Sequence, residues 1–268
     1  MKIRTGDITT HVQRLPAARR DGNQGEPPVV VFVHGLLTDS LASYYFTLGP
    51  AFATAGIDVI MYDLRGHGRS DRPETGYQVE HFVDDLIALL DALGERRRVH
   101  VVGNSFGGTV AAGAAAWYPE RIASLTLIEA EPPVPRWTEH MTNGLALAKE
   151  HLMNDEVIDW IKDNRGAHTA RLSRIAGRIL NSTTLAAEVP SGRVIDDDLS
   201  AITCPVLAIF GDESGLVAQV PLLEGMLERS RVVVLPDQGH SVLVERTKET
   251  RDLVLEWIRE HDLTEAAT

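Results

Sequence analysis

The chain has 268 residues, of which 44% are hydrophobic and 24% charged, and a formal net charge of −12. That composition suits a globular protein with a sizeable core, in one domain or at most two, and it disfavours nucleic acid and anionic membranes, which call for a basic face. The single cysteine, Cys204, excludes an intrachain disulfide and a thiolate metal cluster; standing just before an apolar run, it reads as a buried structural thiol.

The first residues lack the apolar stretch of a signal peptide, and no segment approaches the roughly 18 uninterrupted apolar residues of a membrane span, so a cytoplasmic protein without a membrane partner is expected. Ala17 to Pro28, rich in Arg, Gly, Asn and Pro, predicts an exposed turn or hairpin. Val29 to Val33 is an apolar run, β-branched apart from Phe32, as a strand buried on both faces of a parallel sheet requires. Similar runs occur at Ile57 to Tyr62, Val99 to Val102, Leu125 to Ile128, Val206 to Phe210 and Val232 to Leu235. Helical periodicity fills Val79 to Leu93, Phe106 to Trp117, Leu216 to Leu227 and Thr247 to Arg259. In the first of these, Phe82, Leu86, Leu89, Leu90 and Leu93 share a face, with Asp84, Asp85 and Asp91 largely off it.

Alternating strands and helices predict an α/β fold, a doubly wound sheet with right-handed crossovers. Function in such sheets gathers at the carboxyl ends of the strands. From Glu131 to Asp198 the rhythm breaks into proline-rich turns and helical patterns that carry Trp137, Met141, Met153 and Trp160. This stretch predicts a helical cap over the active edge, inserted into a core domain of residues 1–130 and 199–268. Most of its apolar residues are expected to pack within the insertion, and a minority to face a cleft beneath it.

Gly103-Asn104-Ser105-Phe106-Gly107-Gly108 joins a predicted strand directly to an alanine-rich helix. So tight a turn leaves no room for side chains at the glycines, and it lifts the Ser105 hydroxyl clear of the sheet at a helix N-terminus. There the free N–H groups and the dipole favour negative charge. A serine hydroxyl is a weak nucleophile and needs a base to take its proton. Ten histidines are present; His240, in a loop between an apolar strand and the last helix, is the one placed for that task. His34 and His67 read as loop-shaping residues.

The chain resembles the α/β-hydrolase family over nearly its whole length. Four blocks carry the resemblance: the strand leading to His34-Gly35-Leu36, Tyr62-Asp63-Leu64-Arg65-Gly66-His67-Gly68-Arg69-Ser70, the Ser105 turn, and Asp237-Gln238-Gly239-His240-Ser241. The resemblance implies an eight-stranded, mostly parallel sheet with a helical cap, and a catalytic triad containing Ser105 and His240. It also implies an oxyanion hole made by the backbone N–H groups of Leu36 and Phe106, where one such donor contributes about 3–4 kcal/mol. The family's usual acid stands three residues after the glycine that ends the strand read as Val206 to Phe210. Here that position is Ser214, which is not an acid. Haloalkane dehalogenases and some lactone hydrolases carry the acid after the preceding core strand, which makes Glu129 the preferred candidate. Asp212 is the alternative, unless it merely caps a turn; Glu131 reads as a solvent-facing residue.

Serine rather than aspartate at the turn implies acyl chemistry on a hydrophobic small-molecule ester or lactone, with a thioester as an alternative. Carbon–carbon hydrolysis is the runner-up, because similar turns occur in those hydrolases, and a non-catalytic ligand-binding homologue is the competing class. Trp137, Met141, Met153, Trp160 and Leu216 are the pocket candidates. Neither a metal nor an organic cofactor is expected, since no His-Glu-x-x-His or dinucleotide-binding turn occurs. A homodimer is compatible with the sequence.

Overall fold

The computed structural model describes residues 1–18, 26–152 and 154–265, with side chains to residue 262. The predicted turn at Ala17 to Pro28 therefore lies largely outside the described residues, and Met153 does entirely. Eight strands form one sheet: β1 (Lys2–Thr5), β2 (Ile8–Leu15), β3 (Val29–Val33), β4 (Asp58–Tyr62), β5 (Val99–Asn104), β6 (Ile122–Ile128), β7 (Val206–Gly211) and β8 (Ser230–Leu235). Their spatial order is β1-β2-β4-β3-β5-β6-β7-β8. From β4 to β8 the neighbours are parallel, while β1 and β2 form an antiparallel hairpin, β2 running antiparallel to β4. That hairpin has no counterpart among the predicted strands: its side chains are largely polar, and only Ile8 and Val12 are fully buried apolar positions.

Alternation along each central strand divides the core in two. Val29, Val31 and Val33 pack on one face with α3 (Val79–Ala92) and α4 (Phe106–Trp117), while Val30 and Phe32 pack on the other. The second face is covered by α1 (Ala42–Tyr45), α2 (Gly49–Thr54) and α11 (Thr247–Glu265). Period-two burial on both faces explains why these strands read as unbroken apolar runs. Asp85 departs from its expected place off the apolar face of α3: it is buried and receives two hydrogen bonds from Arg65, at 2.7 and 2.8 Å. A buried carboxylate persists because the guanidinium meets it with two donors.

Between β6 and β7 the chain makes α5 (Pro135–His151), α6 (Asp155–Arg165), α7 (Ala167–Ser182) and α8 (Leu185–Glu188). These inserted helices are tied to the rest of the protein by backbone. Glu188 accepts from the Gly76 and Tyr77 N–H groups and Glu80 accepts from the Arg193 N–H, while the Ile195 N–H donates to the Pro133 carbonyl and joins the two ends of the insertion. After β7 come a short 3-10 turn, Gly215–Gln219, and α9 (Val220–Met226); α10 (Val242–Glu245) follows β8. No helix of the described residues is long and apolar enough to cross a membrane.

The sheet positions the site through its strand order. β3 lies between β4 and β5, so the chain leaves β3 in one direction and continues from β5 in the other. Loops diverge at such a switch point and open a crevice at the carboxyl ends. The segments after β3 and β5 hold His34-Gly35-Leu36 and Ser105.

Candidate active site

Ser105 stands between β5 and α4 with φ 53° and ψ −126°, a conformation that L-residues rarely adopt. The turn is possible because backbone packs where side chains would otherwise be. A Cβ on Gly103 would overlap the Gly107 carbonyl, and one on Gly107 would overlap the Val33 carbonyl. Four of the five non-glycine residues with positive φ among the described residues flank this region: Leu37, Ser105, Glu129 and Asp237. Strained backbone thus concentrates in the loops that converge on one crevice.

His240, in the loop between β8 and α10, has its Nε2 3.1 Å from the Ser105 Oγ. Its Nδ1 is 3.0 Å from Oε2 of Glu129, the residue following β6. Glu129 is fully buried, and each oxygen has a donor from the segment of β7 and beyond. The Gly211 N–H donates to Oε1 at 2.5 Å, and the Ser214 hydroxyl to Oε2 at 2.5 Å. A carboxylate so supplied only accepts, so Nδ1 carries a proton toward Glu129 while Nε2 faces the Ser105 hydroxyl. Asp212 is placed elsewhere: it accepts the Gln238 N–H at 3.3 Å and has no bond to His240.

The loop after β3 is held by buried histidines. Burial, followed by the nearby His34, pushes the His67 imidazole down to about 3, so its Nε2 remains an acceptor and takes the Leu37 N–H at 2.7 Å. The Leu64 N–H donates to Nε2 of His34 at 3.0 Å, and the Gly35 N–H to Asp39 at 2.8 Å. These bonds set the main chain on both sides of Leu36. Phe106 begins α4, and the first N–H groups of a helix have no intrahelical acceptor.

A cavity of about 510 Å³ opens over Ser105. Leu36, Phe106, Trp137, Met141 and Leu216 supply apolar lining. Trp137 and Met141 share a face of α5 at helical spacing, and Trp137 is buried with its ring stacked on Phe106, centroids 6.3 Å apart. Trp160 is a correction. It is 57% exposed and not among the cavity residues. On α6 the inward position is Ile158, and a residue two further along a helix points to the opposite side.

Glu131 is a second correction: it is buried, not solvent-facing. Gln219 donates to its carboxylate, and Nδ1 of His140 lies 2.7 Å from Oε2. Glu131, His140, Glu213, Ser214 and Thr109 make part of the cavity wall polar, which the apolar pattern of the insertion did not suggest. Ser214 is the residue beside Glu129 that sequence reasoning missed. Its position after Gly211 was the signal, because the place where an acid usually stands lies beside the same histidine.

Comparison with known proteins agrees with this architecture. Over 260 residues, covering 90% of the chain and 88% of the relative, the sequence is 27% identical to a 2-(acetamidomethylene)succinate hydrolase of Mesorhizobium japonicum. A 96-residue stretch is 41% identical to a non-heme chloroperoxidase of Streptomyces lividans, spanning 36% of the chain and 35% of that relative. The fold matches the enol-lactonase of Burkholderia xenovorans LB400 with a TM-score of 0.70 and 21% identity, covering 97% of this chain and 100% of the other. Residues 28–171 match the family described as alpha/beta hydrolase fold. The chain belongs to the α/β-hydrolase family and is an enzyme of that family.

Proposed function

We propose that this enzyme is a serine hydrolase that cleaves an ester or lactone of a small molecule through an acyl-enzyme on Ser105. The observation that carries the reading is the unbroken polar line from Ser105 Oγ to His240 Nε2, 3.1 Å, and from His240 Nδ1 to Glu129 Oε2, 3.0 Å. In this reading His240 takes the Ser105 proton as Oγ attacks the carbonyl, then delivers it to the leaving oxygen. Glu129 keeps the imidazole in the productive tautomer and stabilises the imidazolium. The Leu36 and Phe106 N–H groups receive the oxyanion. Water then enters by the same base and releases the acid.

The inserted helices, residues 131–198, act as a cap in this scheme, and the apolar part of the substrate lies against Trp137, Met141 and Leu216. Relatives named as hydrolase and enol-lactonase support acyl compounds as substrates. The test is labelling by a fluorophosphonate probe together with hydrolysis of p-nitrophenyl acetate. The wild type is expected to label stoichiometrically and to turn over the ester. Ser105→Ala should abolish labelling and lower kcat by about five to six orders of magnitude. A folded wild type that neither labels nor hydrolyses the ester would end the proposal.

A further inference from the structure

The cavity holds a second carboxylate–imidazole pair that the Ser105 chemistry does not use. Glu131 follows Glu129 by two residues and is as inaccessible to solvent as a core side chain, 6% exposed. Its two oxygens are committed to different partners. Gln219 Nε2 donates to Oε1, and His140 Nδ1 meets Oε2 at 2.7 Å. Arg136 donates to Oε1 of Gln219, which orients that amide with its nitrogen toward Glu131. The Thr109 hydroxyl fixes the backbone by donating to the Glu131 carbonyl at 2.8 Å.

This arrangement has a direction. Donors run from Arg136 through Gln219 into Glu131, so the carboxylate is an acceptor on both sides and the His140 proton sits on Nδ1. Nε2 of His140 is then the ring nitrogen left to face a ligand, and among the described residues no polar group occupies it. The His140 side chain is 62% exposed and belongs to the cavity wall, one turn along α5 from Trp137. A chain that needed only an apolar wall has no use for a buried carboxylate, which is costly to desolvate unless it holds something in place. The carboxylates of Glu129, Glu131 and Glu213 also border the same space, so an added anion meets repulsion there.

We propose that His140, positioned by Glu131, is a specificity-determining residue that accepts a hydrogen bond from a hydroxyl or N–H group on the substrate, and that the cavity discriminates against substrates bearing a free carboxylate. The inference rests on the hydrolase reading above and names the substrate class of that site. Trp137 and Met141 take the apolar portion, and His140 takes a donor attached to it.

Matched esters test this. On the acyl side, p-nitrophenyl hexanoate is compared with p-nitrophenyl ω-hydroxyhexanoate; on the alcohol side, hexyl acetate with ω-hydroxyhexyl acetate. Mono-p-nitrophenyl adipate carries the free carboxylate. In the wild type, kcat/KM should favour the hydroxylated ester by about three- to tenfold on one of the two sides, the range one neutral hydrogen bond supplies. The adipate should fall below the hexanoate by about tenfold or more. His140→Ala should bring the hydroxyl preference to unity, and Glu131→Gln should reduce it partway, since the ring remains but loses its orienting charge. Each preference is a ratio within one protein, so a smaller folded fraction does not move it. Absence of a hydroxyl preference on both sides, its persistence in His140→Ala, or a preference for the adipate would each overturn the inference. Fluorophosphonate labelling is run on the same samples: labelled protein with no preference sinks only this inference, whereas unlabelled wild type sinks the hydrolase reading as well.

Discussion

Two carboxylate–imidazole pairs border one cavity, Glu129 with His240 at 3.0 Å and Glu131 with His140 at 2.7 Å. Both carboxylates leave the end of β6, yet they are held differently. Glu129 is gripped by the Gly211 main chain and by a hydroxyl three residues beyond it, with its own backbone at φ 48°. Glu131 is gripped by side chains, Gln219 from the 3-10 turn after β7 and His140 from α5. Main chain of a central sheet moves little, and side chains on inserted helices can change without disturbing the sheet. In the proposed function the pair held by main chain serves the chemistry and the pair held by side chains serves selectivity.

The largest expected effect separates the candidate acids and would break the comparison if it failed. Glu129→Gln should lower kcat on p-nitrophenyl acetate by about four orders of magnitude, while Asp212→Asn should change it by no more than about threefold. The reverse order would move the acid to Asp212 and leave Glu129 a structural group. Next comes the wall itself. Trp137→Ala should cost about 3–5 kcal/mol of stability in denaturant unfolding, because a buried ring stacked on Phe106 is lost. Trp160→Ala should stay within about 0.5 kcal/mol, and equal losses would mean that α6 packs more tightly than its exposed indole implies. Ser214→Ala sharpens the account of the sheet side: removal of one hydroxyl donor from a buried carboxylate should lower kcat by about ten- to a hundredfold with KM little changed. Unaltered kcat would reduce Ser214 to a turn residue.

The last signal is a slope. Folded His67 refuses a proton down to about 3, whereas its ordinary value is 6.5. As pH falls from 6.5 toward 3 the unfolded chain therefore binds a proton that the folded chain does not. Stability contributed by neutral His67 is complete above about 6.5 and drains by about 1.4 kcal/mol per pH unit below it. Burial pushes Asp85 up to about 6, which acts in the opposite sense, so the comparison is made between wild type and His67→Gln. The variant should show the shallower acid loss in urea unfolding at a series of pH values. Equal slopes would remove the neutral imidazole from the support of the Leu36 loop.

Much of this architecture was legible in residue order. Apolar runs marked β3 to β8; for β3 to β7 the reason is burial on two faces, which leaves no polar alternation to confuse the signal. The Ser105 turn was legible because Gly103 and Gly107 must be glycine for backbones to touch. The hairpin of β1 and β2 was not, since an edge pair with polar side chains has little hydrophobic signature. Trp160 misled because aromatic content is visible in a sequence, whereas the side of α6 that meets α7 is not.

The sequence alone determined the strand succession, the sharp turn at Ser105 and the histidine that follows the last strand, all properties of short contiguous stretches. Which acid meets His240 was decided only in three dimensions, by partners 111 residues apart that follow β6 and β8, the strands paired on either side of β7. The pairing of β6 with β7 turned Ser214 from an apparent gap into a donor, and it set Glu131 within reach of Gln219. Local chemistry is written along the chain; the charge environment of a buried carboxylate depends on which strands become neighbours, and that is a property of the fold.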